Sequence, residues 1–410
     1  MAKWTLEQQK AIDVRGHNVI VSAGAGSGKT AVLTERVFRI LQEGTSLDEI
    51  LVLTFTNAAA SEMRQRTRGK LLGDPRLEKL ASKIDASDIC TFDAYALSLV
   101  KKYHYVLGVS ANVSIIDENI IKIKKRKLLN RIFDELYEKR YEPFLNFIGK
   151  YALRSDDDLQ DFVLRADEMI NLKIDKQAYL KDYLSTYFSV PKIERDLEDF
   201  REYIRNIAKA TKTGALKYEN PKMTENVFKA LDPILAAPDY DSFNEALSTF
   251  KFPPRNKLSE EDSLLHESLS SACDKFASYA AIGKKADVIS RYEATKETVA
   301  VLLDIIEKLN ERLDHFKKTY EVYTFSDIAK MALALVKTTD VGKTLKQKLK
   351  FIMIDEYQDT SDIQEEFVSA ISNDNVYMVG DIKQSIYRFR NANSDIFAHK
   401  YMQYKKGIGG

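Results

Sequence analysis

The chain keeps its strand-like segments at its two ends. Short, nearly all-apolar runs bounded by turn residues occur as NVIVSA (18–23), EILVLTF (49–55) and DICTF (88–92), then again as KFIMID (350–355) and NVYMVGD (375–381). Runs of this kind suit strands buried on both faces, as in a parallel sheet covered by helices. Parallel neighbours need crossover connections, so helices are expected between them. Between residues 109 and 321 the pattern changes. Segments such as NIIKIKKRKLLNRIFDELYEK and KETVAVLLDIIEKLNERLDHFKKTYE have helical periodicity and salt-bridge spacing, with little strand signal. One sheet must therefore be assembled from both ends of the chain. The expected fold is an α/β domain with a doubly wound parallel sheet (residues 1–108 and 322–410), interrupted by a large all-α insertion domain (residues 109–321).

The first apolar run leads directly into VSAGAGSGKT, residues 21–30. Glycines permit positive φ and close backbone approach, at an entropic cost that an ordinary turn does not need. A small-residue loop between strand and helix can aim successive N–H groups at a phosphate. Ala23, Gly24, Ala25, Gly26, Ser27, Gly28, Lys29 and Thr30 are therefore candidate nucleotide-binding positions, with Ala23 standing where such patterns usually begin with glycine. The following AVLTERVFRILQEG spaces Val32, Val37 and Ile40 along one helix face and stops at Gly44, a C-cap signal. The chain carries its own control. DVGKTLKQKL (340–349) repeats Gly-Lys-Thr without a preceding strand or another glycine, and reads as an ordinary helix start.

A phosphate loop also needs a cation ligand and a group that activates water. FIMIDEYQDTS puts Asp355 and Glu356 after four apolar residues, hence at the carboxyl edge of the sheet, where α/β ligands bind. Asp355 can hold Mg²⁺ with the Thr30 hydroxyl, and Glu356 can polarise the attacking water. An isolated Asp-Glu pair would read as a solvated strand end; its pairing with the loop favours catalysis. In MVGDIKQSIYRFRNA, Gln384 has an amide able to reach a γ-phosphate. Tyr387, Arg388, Phe389 and Arg390 interleave rings with cations, which can stack bases and grip phosphates. An amphipathic turn with Tyr387 or Phe389 in the core is the alternative.

The 62 Lys and Arg balance 61 Asp and Glu, so any nucleic-acid site must be a local patch. Two cysteines and five histidines without ligand spacing exclude a disulfide framework or a cysteine-rich metal site. The N-terminal MAKWTLEQQK has no apolar core and no 18-residue apolar run occurs, so no membrane partner and a cytoplasmic location are expected.

SAGAGSGKT, LVLTFTNAAASEM, IDEYQDTS and VGDIKQSIYRFRNA, in this order, resemble the N-terminal motor half of the UvrD/Rep-type superfamily 1 DNA helicases. GDIKQSIYRFR, the long helical stretch and the return segment YTFSDIAKMALALV (323–336) are most similar to the AddA/RecB helicase–nuclease branch. The resemblance implies a RecA-like P-loop NTPase domain using ATP and Mg²⁺, acting on single-stranded and duplex DNA in recombination or double-strand break repair, and partnered by a second helicase–nuclease subunit. It implies an adenine-reading role for Gln8 in WTLEQQKAI, whose amide can both donate and accept. Lys29 becomes the β/γ-phosphate lysine, Thr30 and Asp355 the Mg²⁺ pair, Glu356 the base and Gln384 the γ-phosphate sensor. Phe55, Tyr387 and Phe389, with Arg388 between the last two, fall at single-strand contact positions.

Asp93 in TFDAYAL stands where many relatives carry histidine, and Ala31 where several place an adenine-stacking arginine. Only 20 residues follow Arg390. A second RecA-like domain, with the arginines that complete the ATP site, is thus expected to lie outside this sequence, making it a fragment or one piece of a split motor with very slow hydrolysis on its own. The competing reading is a non-catalytic module that binds ATP or DNA and docks to a partner. Intact Lys29, Asp355 and Glu356 favour the motor.

Overall fold

The computed structural model describes residues 4–24, 26–152, 155–255, 258–381, 393–407, 409 and 410. Its strands are β1 (Val19–Ser22), β2 (Ile50–Thr54), β3 (Ile89–Thr91), β4 (Ser114–Ile115), β5 (Val322–Tyr323), β6 (Phe351–Ile354) and β7 (Val376–Gly380). Five of them form one sheet in the order β1-β7-β6-β2-β3, every pair parallel. Ser22 lies beside Gly380, Ile354 beside both Met378 and Leu53, and Thr54 beside Thr91. The carboxyl ends of all five strands therefore share one edge. β4 and β5 pair separately, with Ser114 opposite Val322 and Ile115 opposite Tyr323.

The apolar runs make sense on this sheet because their side chains alternate between two covered faces. Leu51, Leu53, Ile352, Ile354, Val376 and Met378 enter one core with Phe92, Ala96, Leu333 and Phe367. Ile50, Val52, Met353, Tyr377 and Val379 enter the other, with Leu33, Val37, Ile40, Met63 and Leu71. Burying one such aliphatic side chain is worth about 1.5–3 kcal/mol, so a charge placed at Val52 or Met353 would strike the fold directly. The helix Lys29–Gln42 meets the second core through Leu33, Val37, Ile40 and Leu41, at helical spacing. It ends as its sequence indicates. Gly44, at φ 94°, donates its N–H to Leu41, while Thr45 donates to Ile40.

Two compact units divide the chain, residues 1–127 with 311–410 and residues 128–310. The boundaries fall inside the helices Glu118–Glu138 and Lys285–Tyr320. The described elements of the second unit are helices. There the amphipathic helix Val190–Ala215 buries Ile193, Leu197, Ile204 and Ala208 in a core shared with Val227, Leu231, Phe243 and Leu247. Among the described residues no helix is long and apolar enough to cross a membrane, and no cluster of three His, Cys, Asp or Glu could hold a metal ion.

Candidate functional site

At the end of β1 the ladder runs on for one residue, with Ala23 N–H donating to Gly380 O at 3.0 Å. The chain then turns. Ser27 N–H reaches back to Gly24 O at 3.3 Å, and Gly26 and Gly28 adopt left-handed φ of 74° and 82°. These are backbone conformations that side chains oppose, which explains glycine at both places. Gly28 is the N-cap of the helix Lys29–Gln42, and no side chain caps that end. Other helices of this unit behave differently: Thr56, Thr91, Thr324 and Ser361 each cap their helix with a side-chain oxygen. The Lys29 helix thus keeps unfilled N–H donors and the positive end of its dipole facing the carboxyl edge.

Two carboxylates face that end from β6. Asp355 N–H continues the pairing with β2 by donating to Leu53 O at 2.9 Å, which buries its side chain. Burial first, and the Glu356 charge second, push the Asp355 carboxyl up to about 6, against the pull of a hydrogen bond from Glu356 N–H and of Lys29. Glu356 sits at φ 51°, a left-handed conformation costing a non-glycine residue about 1–2 kcal/mol. The turn aims its carboxylate back at the loop. Glu356 Oε2 lies 3.3 Å from Lys29 Nζ, and the lysine is largely buried.

Gln358 holds this arrangement together, and sequence reasoning did not single it out. It is buried; its Nε2 donates to Glu356 Oε2 at 2.7 Å and to Asp359 Oδ2 at 3.1 Å. Its Oε1 accepts the Asp381 N–H at 2.9 Å, tying the turn after β6 to the end of β7. Gly380 is required for the same reason. A Cβ there would lie 2.5 Å from Gln358 Oε1 and 2.9 Å from a Phe397 ring carbon. The one legible hint was a buriable amide two residues after the acid in IDEYQDTS.

Gln8 arrives from the other side. Thr5 and Gln8 form a capping box at the start of the helix Leu6–Asp13, with Gln8 Oε1 accepting the Thr5 N–H. Gln8 Nε2 then donates to Ser27 O at 3.1 Å, so this side chain touches the glycine loop. Thr30 occupies the first turn of its helix, half-buried, its carbonyl accepting from Thr34 Oγ1 at 2.7 Å. Phe55 is half-buried immediately after β2, at the same sheet edge. Asp93 is half-buried in the first turn of the helix Phe92–Lys102. Ala25, Gln384, Tyr387, Arg388, Phe389 and Arg390 lie outside the described residues.

The edge therefore combines an open helix N-terminus, a buried ammonium and two carboxylates, one of them poorly compensated for its burial. The first two suit a polyphosphate. The Asp355 carboxylate and the Thr30 hydroxyl are hard oxygen donors of the kind Mg²⁺ takes, and a cation would relieve the strain that raises the Asp355 pKa.

The comparisons with known proteins point the same way. Residues 4–405 match the UvrD/REP helicase N-terminal domain family. The chain is 31% identical to the A-type subunit of the ATP-dependent helicase/nuclease of Thermoanaerobacter sp. (strain X514), over 99% of this chain and 37% of that protein. Its identity to the same subunit of Alkaliphilus oremlandii is 31%, over 98% of this chain and 36% of that one. For the counterpart in Lachnoclostridium phytofermentans it is 31%, over 100% and 34%. The chain thus spans a little over a third of the length of the curated relatives it matches. With the match extending from the Gln8 helix past the glycine loop to the last helix, the chain belongs to the UvrD/REP helicase N-terminal domain family.

Proposed function

We propose that this chain is the ATP-binding half of a DNA helicase or translocase acting in recombination or double-strand break repair. Residues 1–108 and 322–410 are its RecA-like P-loop NTPase domain, and residues 109–321 a largely helical insertion that carries the short strand β4 near its start. The parallel five-stranded sheet, drawn from both ends of the chain, supports this reading. Its site takes Mg-ATP. The backbone of Ala23 to Gly28 wraps the phosphates, Lys29 neutralises the β/γ-phosphates, and Thr30 and Asp355 hold Mg²⁺. Magnesium, when bound, draws charge from the phosphate oxygens. Gln8 reads the adenine edge from beside the loop. Phe55, Tyr387, Arg388 and Phe389 contact single-stranded DNA, and Gln384 links that contact to the γ-phosphate. The relatives are named as one subunit of a helicase/nuclease, which supports a partner subunit of the same kind; a motor acting on DNA in this way would work in the cytoplasm.

The observation that carries the reading is the 3.3 Å contact between Lys29 and Glu356. It brings the last residues of the loop and the acid after β6 within one ligand's reach. It also orders the chemistry. When phosphates claim Lys29, the Glu356 carboxylate is released, still held by Gln358, and can accept a proton from the water that attacks the γ-phosphate. The bond to the β-phosphate oxygen breaks, and ADP and phosphate leave. Titration of a fluorescent ATP analogue with magnesium tests the site, and phosphate release with and without oligo-dT tests the chemistry. Lys29→Ala should weaken binding, whereas Glu356→Gln should bind nucleotide and fail to hydrolyse it. Equal affinity in wild type and Lys29→Ala would sink the assignment.

A further inference from the structure

Arg36 is a buried cation with no carboxylate partner among the described residues. Its Nη1 donates to two backbone carbonyls, Ala11 O and Ile12 O, each at 3.1 Å. Its guanidinium carbon lies 4.1 Å from the centroid of the Tyr377 ring on β7. Burial, followed by the nearby Arg15 charge, pulls its pKa down to about 10, which still leaves it charged at neutral pH. The charge is favoured by the Tyr377 ring, by the Glu43 and Asp13 carboxylates beyond ion-pair distance, and by the negative end of the Leu6–Asp13 helix.

The position of Arg36 is what gives it meaning. It follows Lys29 by seven residues, two turns along the same helix face, about 10 Å further on. Ile12 follows Gln8 by four residues, one turn along its own helix. The two helices are therefore joined at two levels. At the loop, Gln8 Nε2 holds Ser27 O at 3.1 Å; at the far end, Arg36 holds Ala11 and Ile12. The outer ion pairs, Arg39 with Asp13 and Arg15 with Glu43, are more exposed and contribute less.

We propose that Arg36 is a positioning residue for base selection: it fixes the Gln8 amide at one distance from Lys29, so that base and phosphates of a single nucleotide are read together. The inference rests on the roles proposed above for Gln8 and Lys29. Without Arg36 the phosphate grip survives, while the base reader drifts.

The test is a competition assay on the 410-residue chain with Mg-ATP, Mg-GTP and inorganic tripolyphosphate as probes. Arg36→Met should lower the ATP-to-GTP affinity ratio by about tenfold, the scale of one hydrogen bond, and leave tripolyphosphate affinity within about twofold. Gln8→Ala should lower the ratio similarly, and the double variant should fall no further than Gln8→Ala alone. If Arg36→Met does not fold, Arg36→Lys, which keeps the charge but loses the planar guanidinium lying over the Tyr377 ring, should lower the ratio by about threefold. An unchanged ratio in a folded Arg36 variant overturns the proposal, as does parallel loss of tripolyphosphate binding or additivity in the double variant. If Gln8→Ala itself leaves the ratio unchanged, the underlying reading of Gln8 has failed and this proposal falls with it.

Discussion

The tripeptide Gly-Lys-Thr occurs twice in this chain, and the two copies fold into different things. Gly28 caps a helix from a left-handed conformation, whereas Gly342 sits within the helix Asp340–Lys348, whose cap is the Thr339 side chain. Lys29 is 10% exposed and faces Glu356; Lys343 is 80% exposed and pairs with Asp340 on its own helix. The difference lies upstream. A parallel strand at the edge of the sheet delivers the first copy to the sheet's carboxyl end, with glycines that let the backbone turn. The second copy starts a helix that leads into β6 from its amino end. Three residues do not make a candidate phosphate site; the element before them does.

The largest way to break this comparison is at the glycines. A Cβ at Gly342 would collide with the Val336 carbonyl oxygen, in a packed helix pair that cannot yield. Gly342→Ala should cost about 3 kcal/mol of stability, read as a lower urea midpoint at constant slope. Glycine there would serve packing, not ligand binding, and an unaffected midpoint would remove that distinction.

Next come the lysines. Lys29→Ala should weaken Mg-ATP binding by about fiftyfold, the scale of a charge-assisted hydrogen bond, while Lys343→Ala should change it by less than about twofold. Equal effects in a titration of the two variants would mean that the second copy also meets nucleotide.

The aspartates near the two copies differ as well. The Asp355 carboxyl is raised to about 6 from its ordinary 3.8, so the folded state holds its proton to higher pH than the unfolded chain does. Stability is therefore lost as pH rises from about 4 to 6, and the loss persists above that. Asp355→Asn should stabilise the nucleotide-free protein by about 2 kcal/mol at pH 8, with the gain vanishing near pH 4. Asp340→Asn, at an exposed pair, should move stability by less than about 0.5 kcal/mol at either pH. Urea denaturation at both pH values reads all four numbers.

The smallest effect sharpens the loop itself. Among the described residues a Cβ at Gly28 would meet only Gln8 Nε2, at 3.4 Å, so Gly28→Ala should cost about 1 kcal/mol through its φ rather than through collision.

Much of this was legible in sequence, for identifiable reasons. β2, β6 and β7 announce themselves because strands covered on both faces are almost wholly apolar, and the edge strands β1 and β3 carry the same apolar run although they are only partly buried. The positions of the glycine loop and of Asp355–Glu356 at the carboxyl edge were legible because both follow directly on those apolar runs. β4 and β5 were not read. Each is two residues long and exists only because Ser114–Ile115 and Val322–Tyr323 find each other across the chain. Gln358 and Arg36 were invisible for a related reason. Each acts by joining segments distant in sequence, and nothing in their immediate neighbours says that an amide or a guanidinium will be buried there.

The contact between Lys29 and Glu356 has a further consequence for selectivity. In kinetic terms Glu356 is a tethered competitive inhibitor, a carboxylate held beside the ammonium at a high and constant effective concentration. Any anion entering the loop must outbid it. Chloride or a single inorganic phosphate brings few oxygens and little charge to that contest; a chain of phosphates can satisfy the helix N-terminus and the lysine together. A threshold of this kind would keep the glycine loop quiet among weak anions.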